Sequence, residues 1–170
     1  MKKLRPQHFF LNLAMKSILG KQSESFWLIN TQVPTKLLKK LKAGFEWNQE
    51  CLFYKGSVFQ ISDKSKTSVE YFASQTFVID YMRDKSTHFT LKNLVWQSFS
   101  FSFALAESLC EHSKNFTIYI STSPENLSSE FKDCCVQFHL DRPDESAPLY
   151  VEDIYQPSFS KPTAILKFEI

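Results

Sequence analysis

The amino-acid sequence predicts an α+β fold: a single domain over residues 1–170, with a largely antiparallel β-sheet and about three to four helices packed on it. Three observations predict this fold class. The length of 170 residues suits one domain of ordinary size. Short strand-like and helix-like segments follow one another without regular β-α-β alternation, which favours antiparallel pairing. The 17 Phe residues predict an aromatic core.

Two helices are predicted in the first half of the chain. Pro6 stands at a first helical position and Gly20 follows the last apolar residue of helical spacing, so a helix is predicted over 6–19. A short basic helix is predicted to begin at Thr35 and to end before Gly44, with leucines on one side. The strands predicted in this half lie at 25–33, in a hairpin over 51–61 centred on Lys55-Gly56 and, more weakly, at 67–82.

The stretch 91–113 is the hardest part of the sequence to assign. Phenylalanine alternates with serine from Ser98 to Phe103, as in a half-buried strand, but the apolar residues also have helical spacing behind a cap at Thr90. The length favours a helix, since strands seldom exceed about ten residues, and 95–105 stays open between helix and strand. The remaining predicted elements are strands at 116–121, 136–140, 149–155 and 164–170, a helix at 123–133 and a polar loop at 142–148.

Composition argues against several classes of function. Three glycines, none in a phosphate-binding motif, predict no nucleotide cofactor. No apolar run approaches the length of a membrane span, so no membrane contact is predicted. Four cysteines without a CxxC pair are typical of reduced thiols, which predicts a cytoplasmic protein.

Two groups of residues were considered for metal or acid–base chemistry. Cys110, His112, Cys135 and His139 together offer four zinc-type ligands, but their spacing matches no zinc finger or knuckle. A metal-dependent nuclease would draw on histidines as acid or base and on carboxylates spaced i,i+4. These candidates are His88, His112, His139, Asp80, Asp84, Glu107 and Glu111. Such spacing is common on solvated helix faces and no hydrolase motif accompanies it, so neither a metal site nor a catalytic residue is predicted.

The charge is divided between the two halves of the sequence. Residues 1–66 hold 12 Lys and Arg against 4 Asp and Glu, whereas residues 67–170 hold 8 against 14. Lysines of the predicted basic helix could contact the phosphates of a nucleic acid. These lysines are Lys36, Lys39, Lys40 and Lys42. The modest pI of about 8.3 and the scarcity of arginine make nucleic-acid binding the weaker alternative.

Acidic residues are concentrated between Glu107 and Asp153, where ten acids face three basic residues. Carboxylates on loops over a rigid sheet attract a basic protein, and neighbouring tyrosines can supply apolar contacts. The predicted partner-binding residues are Glu125, Glu130, Asp133, Asp141, Asp144, Glu145, Tyr150, Glu152, Asp153 and Tyr155.

Small size, cytosolic composition, the lack of a catalytic motif and the concentrated acids together resemble the profile of bacterial immunity proteins, which neutralise a cognate toxin by covering its active site. No motif carries this resemblance, so no functional residue is transferred from that class. It implies a non-enzymatic inhibitor of antitoxin type whose one partner is a basic, nuclease-like toxin domain. The alternatives are a nucleic-acid-binding accessory protein and a metal-dependent nuclease.

Overall fold

A computed structural model describes residues 4–26, 31–57, 65–82, 90–112, 114–122 and 133–170. These residues form an α+β fold with a five-stranded antiparallel sheet and a separate two-stranded sheet, which confirms the predicted fold class. The α-helices are α1 (Leu13–Leu19), α2 (Thr35–Ala43), α3 (Lys66–Ala73), α4 (Leu91–Leu109) and α5 (Val151–Ile154). The strands are β1 (His8–Leu11), β2 (Phe45–Asn48), β3 (Cys51–Tyr54), β4 (Thr76–Phe77), β5 (Phe116–Thr122), β6 (Cys134–Leu140) and β7 (Thr163–Phe168).

The five-stranded sheet has the order β1-β7-β5-β6-β4, with β5 at its centre. Helix α4 packs against β5 and β6, and the core between them is rich in buried phenylalanine. Phe116 of β5 stacks on Phe168 of β7 with ring centroids 4.9 Å apart, and both rings are fully buried. The central strands are buried on both faces, because α3, α5 and the loop before β7 cover the side opposite α4.

Residues 95–105 are helical, which settles the alternative that the sequence left open. The serines that alternate with phenylalanine are buried, and two of them donate to the helix's own carbonyl groups, while Ser100 accepts from the Thr31 amide at 3.3 Å. Ser98 donates to the Leu94 carbonyl and Ser102 donates to the Ser98 carbonyl, each at 2.8 Å. Serine therefore occupies apolar surroundings here without an unpaired hydroxyl, and the alternating pattern does not mark a strand.

The predicted helix over 6–19 is wrong in its first half, where β1 pairs with β7. The register places His8 opposite Lys167 and Leu11 opposite Ala164. Asn12 then caps α1 by accepting a hydrogen bond from the Met15 amide at 2.9 Å. The strand is stabilised by a partner at the other end of the chain, so the local spacing of apolar residues could not show it.

Of the predicted hairpin over 51–61, the first strand is present as β3, but its partner among the described residues is β2, which precedes it in the chain. The turn between β2 and β3 consists of Gln49 and Glu50, both with positive φ. Turns of this kind usually contain Asn or Gly, so Gln49 and Glu50 do not predict one. Gly56 follows β3 in a turn, and the rest of the predicted second strand lies outside the described residues.

Two further strand predictions failed in whole or in part. Most of the first half of 67–82 is helix α3, whose cap is Ser65, and a strand occurs only at Thr76–Phe77. The predicted strand over 149–155 is instead the short helix α5. The backbone amide of the N-cap residue Tyr150 donates a hydrogen bond to the Asp153 carboxylate. The centre of the strand predicted over 25–33 and almost all of the helix predicted over 123–133 lie outside the described ranges, so both stay predictions. The predictions at 35–43, 91–113, 116–121, 136–140, 142–148 and 164–170 are confirmed, with small shifts in their ends.

Candidate functional site

A groove of about 560 Å³ lies between the β2–β3 hairpin, the start of α3 and the loop after β6. We call it the Trp47 groove, because the Trp47 side chain on the hairpin lines it and is 48% exposed. Asp141 and Asp144 line the loop side, and Lys114 also contributes to the lining. The groove thus brings together an exposed aromatic ring and three of the predicted partner-binding acids, the third being Glu145.

A buried carboxylate fixes the base of the Trp47 groove. Glu70 of α3 is fully buried and accepts hydrogen bonds from the backbone amides of Leu52 (2.7 Å) and Leu140 (2.8 Å). The Arg142 guanidinium donates to both of its oxygens, at 2.8 Å each, and also to the Glu50 carbonyl at 2.8 Å. We call this the Glu70 network. It joins α3, β3 and the end of β6, and sequence reasoning missed Glu70 because nothing local distinguishes it from a surface glutamate.

Glu145 holds the loop after β6 against the first turn of α3. Its carboxylate accepts hydrogen bonds from the backbone amides of Lys66 (3.2 Å) and Thr67 (2.6 Å), which have no partner within the helix. Burial alone would raise the pKa of Glu145, but the hydrogen bonds from Thr67 and Lys66 outweigh it and lower the pKa. The Lys66 side chain pairs with Glu50. Glu145 is therefore engaged within the fold, whereas Asp144 is exposed.

A second polar chain leads from the Trp47 groove into the sheet. The Tyr119 hydroxyl lies 2.9 Å from Nε2 of His139, and Nδ1 of His139 lies 3.0 Å from the Leu140 carbonyl oxygen. A carbonyl can only accept, so Nδ1 carries the proton and Nε2 accepts from Tyr119. Asp141 accepts a hydrogen bond from the Thr117 hydroxyl at 2.7 Å. Burial lowers the pKa of His139, which keeps its imidazole neutral.

The residues considered for zinc and nuclease chemistry do not converge. His139 is buried in β6 with both ring nitrogens engaged, while His112 lies at the end of α4 beside Phe45 and Trp47. Throughout the described ranges, no three His, Cys, Asp or Glu side chains are placed to hold a metal ion together. Of the other nuclease candidates, Asp84 and His88 lie outside the described residues.

The remaining predicted partner-binding residues lie away from the Trp47 groove. Tyr150 and Tyr155 flank α5 and are exposed, as are Glu152 and Asp153 in its first turn. Helix α5 packs on the sheet through Ile154, which contacts the cluster that contains Tyr119 and Ile165. No residue of α5 lines the Trp47 groove. Glu125 and Glu130 lie outside the described ranges.

Asp133 is separated from the groove by the whole of β6. It precedes the strand that Asp141 follows, and a rise of about 3.3 Å per residue places the two about 25 Å apart. The Asp133 carboxylate accepts a hydrogen bond from the Cys134 amide at 2.6 Å. Burial raises the pKa of Asp133 to about 6. The described members of the predicted acidic set therefore occupy three places: the Trp47 groove, α5 and the start of β6.

One lysine of the proposed phosphate-binding set turns inward. Lys40 is half-buried, with its ammonium nitrogen 4.1 Å from the centroid of the Tyr54 ring and 3.0 Å from the Thr76 hydroxyl. Burial lowers the pKa of Lys40 to about 8. Its charge is directed at an aromatic face and not at solvent. The exposed lysines of α2 are Lys36, Lys39 and Lys42.

Compared with protein-family models, with curated proteins and with solved structures, the chain matches none of them. Within the described ranges, no helix has both the length and the apolar character needed to cross a membrane.

Proposed function

We propose that this protein is a non-enzymatic binding protein whose Trp47 groove contacts one basic protein partner. The observation that supports the proposal is the exposed Trp47 ring, which lines the same groove as Asp141 and Asp144. Tryptophan is enriched among residues that dominate binding free energy, because it buries a large area with few rotatable bonds. Carboxylates around such an anchor select and steer a positively charged surface.

The Glu70 network supports this proposal by keeping the groove in one shape. Arg142 contacts Glu70 on α3 and the Glu50 carbonyl in the hairpin turn, so the two walls of the groove are tied together. Glu145 ties the loop to α3 independently. A surface ordered before binding loses less conformational entropy when the partner docks, which increases affinity.

The class of inhibitor proposed is an immunity or antitoxin-type protein, in keeping with the overall profile of the sequence. A nuclease-like toxin uses Lys and Arg to contact phosphate, and the exposed carboxylate of Asp144 would pair with such a residue and occlude it. Trp47 would bury against the partner at the centre of the contact. The exposed tyrosines and acids of α5 are proposed to extend that contact.

Capture from the native host tests the proposal. Tagged wild-type protein, Trp47→Ala, Asp144→Lys and the control Glu24→Lys are compared at low and moderate salt, with mass spectrometry of what co-purifies. Glu24 is exposed and outside the Trp47 groove, so its variant makes the same change of charge elsewhere. We expect the wild type and Glu24→Lys to retain one basic protein, and both groove variants to lose it.

Two results would contradict the proposal. Retention of the same partner by Trp47→Ala and Asp144→Lys would remove the Trp47 groove from the interface. Recovery of nucleic acid in place of a protein would favour the accessory-protein alternative. Matching circular dichroism spectra and melting temperatures establish that each variant is folded, as expected for exposed side chains.

A further inference from the structure

A second groove, of about 660 Å³, lies between α2 and α4. We call it the Glu107 groove, after a residue of its α4 wall. Its floor is apolar: Leu38 is 37% exposed, and Phe45 and Ala104 are half-buried. The small side chains of Ala104 and Ser108 leave room between the two helices. The groove therefore offers apolar surface that a ligand could cover without displacing the core.

The two walls of the Glu107 groove differ in charge. Glu107 lies in the last turn of α4 and Glu111 lies four residues later, in the 3₁₀ turn Cys110–His112 that continues the helix, so both carboxylates line the same wall. Among the described residues neither carboxylate takes part in an ion pair. The α2 wall contributes Lys42. An occupant with basic side chains along one edge and apolar side chains beneath them would match this arrangement.

The shape of the groove favours a segment of protein over a small molecule. Small-molecule sites enclose most of the ligand, whereas this groove is open to solvent on its outer side. An open apolar channel between two helices is the surface that amphipathic helices commonly use, with contacts repeated at each turn. Two carboxylates one turn apart fit the same repeat.

We propose that the Glu107 groove binds a basic amphipathic helix of a protein partner. Apolar side chains of that helix contact Leu38 and Phe45, and its Lys or Arg side chains pair with Glu107 and Glu111. His112 connects this groove with the Trp47 groove, since its ring lies 5.5 Å from Phe45 and 6.0 Å from Trp47 between centroids. That the helix belongs to the same partner rests on the function proposed above.

Nuclear magnetic resonance titration of the isotope-labelled full chain tests the proposal. The probe is a synthetic peptide of about 18 residues, long enough to be partly helical alone, with Leu at helical spacing and Arg beside each Leu. A peptide of the same composition in scrambled order is the control probe. We expect the ordered peptide to bind with a dissociation constant below about 1 mM and to shift amide resonances along the Glu107 groove. The scrambled peptide is expected to bind more weakly.

Charge variants identify the contact. The double variant Glu107→Gln and Glu111→Gln is expected to weaken binding about fivefold, in line with two exposed ion pairs. The matched control, Glu24→Gln with Glu169→Gln, removes two exposed carboxylates outside both grooves and is expected to leave binding unchanged. Equal binding of the scrambled peptide, equal weakening by the two double variants, or shifts confined to other surfaces would overturn the proposal.

The titration is independent of the partner-capture experiment. Asp144→Lys lies in the Trp47 groove and is expected to leave peptide binding unchanged. If the ordered peptide binds but no partner is captured through the Trp47 groove, the proposed function fails and the Glu107 groove proposal stands. If the partner is captured through the Trp47 groove and the peptide does not bind, only the Glu107 groove proposal fails.

Discussion

On the α4 side of the five-stranded sheet, buried side chains such as Phe99, Phe116 and Phe168 form an apolar core. On the other side, α3 and the loop after β6 are attached through Glu70 and Arg142, and through further hydrogen bonds to the backbone. Apolar contacts stabilise the folded state whatever the relative orientation of the side chains, whereas the hydrogen bonds of a buried ion pair form in only one geometry. The difference indicates that the α4 side provides most of the stability and the polar side fixes the Trp47 groove.

The largest expected effect is on the apolar side. Phe116→Ala removes a fully buried ring that stacks on Phe168, and we expect a loss of about 4 kcal/mol in the free energy of unfolding. The control Phe77→Ala truncates an exposed ring on the edge strand β4 and should cost about 1 kcal/mol or less. Urea denaturation measures both. Similar losses for the two variants would contradict the role assigned to the core.

The next largest effect is expected in the Glu70 network. Glu70→Gln removes the fully buried carboxylate that pairs with the half-buried Arg142 guanidinium, and we expect a loss of about 3 kcal/mol. Glu50→Gln breaks the exposed pair with Lys66 and should cost less than about 1 kcal/mol. Urea denaturation separates the two losses. If Glu70→Gln were as mild as Glu50→Gln, the network would not be what holds the groove walls together.

A smaller effect should appear as a dependence of stability on pH. Burial lowers the pKa of His139 below its ordinary value of 6.5, so the unfolded chain takes up a proton first and stability is lost as the pH falls below about 6.5. The slope from this one group is at most about 1.4 kcal/mol per pH unit. Wild type, His139→Gln and the exposed control His8→Gln are compared by urea denaturation between neutral pH and pH 5. A slope unchanged in His139→Gln would contradict the burial argument.

The smallest effect has the opposite sign. Burial raises the pKa of Asp133 from 3.8 to about 6, so the folded state binds a proton more tightly and the charged carboxylate costs stability above that pH. Asp133→Asn removes the charge but keeps an oxygen to accept the hydrogen bond from the Cys134 amide, so it should stabilise the protein at neutral pH. We expect a gain of only about 1 kcal/mol, because the side chain is partly exposed and solvent screens its charge. The gain should vanish near pH 4. A loss of stability at neutral pH would show that the charge itself is needed.

The sequence correctly predicted those helices and strands whose caps and apolar spacing lie within the element itself. Thr90 caps α4 and the helical spacing continues behind it, so the helix was recognised despite its alternating serines. Strand β1 and the β2–β3 hairpin were missed, because one depends on β7 at the far end of the chain and the other turns on Gln49 and Glu50. Interactions between distant segments leave no periodic pattern within either segment.

The candidate site was only partly accessible to sequence reasoning. Asp141 and Asp144 were predicted as partner-binding residues, because carboxylates concentrated on the loops over a sheet can form a negative patch. Trp47 was not singled out, because exposure of a tryptophan depends on which face of a hairpin it occupies. Glu70 was missed because a glutamate is buried only where the tertiary fold supplies a partner, here Arg142, which is distant in sequence.

Whether the Trp47 groove binds a basic partner is decided by the association rate of the captured partner, measured with purified proteins over a range of salt concentrations. We predict that Asp144→Lys slows association about tenfold at low salt, that the difference shrinks as salt screens the charges, and that Glu24→Lys has no effect. Trp47→Ala should act on the dissociation rate instead, because its contact forms after the encounter. An association rate that is the same for Asp144→Lys and wild type, together with an unchanged dissociation rate for Trp47→Ala, would contradict the claim that the Trp47 groove is the binding surface.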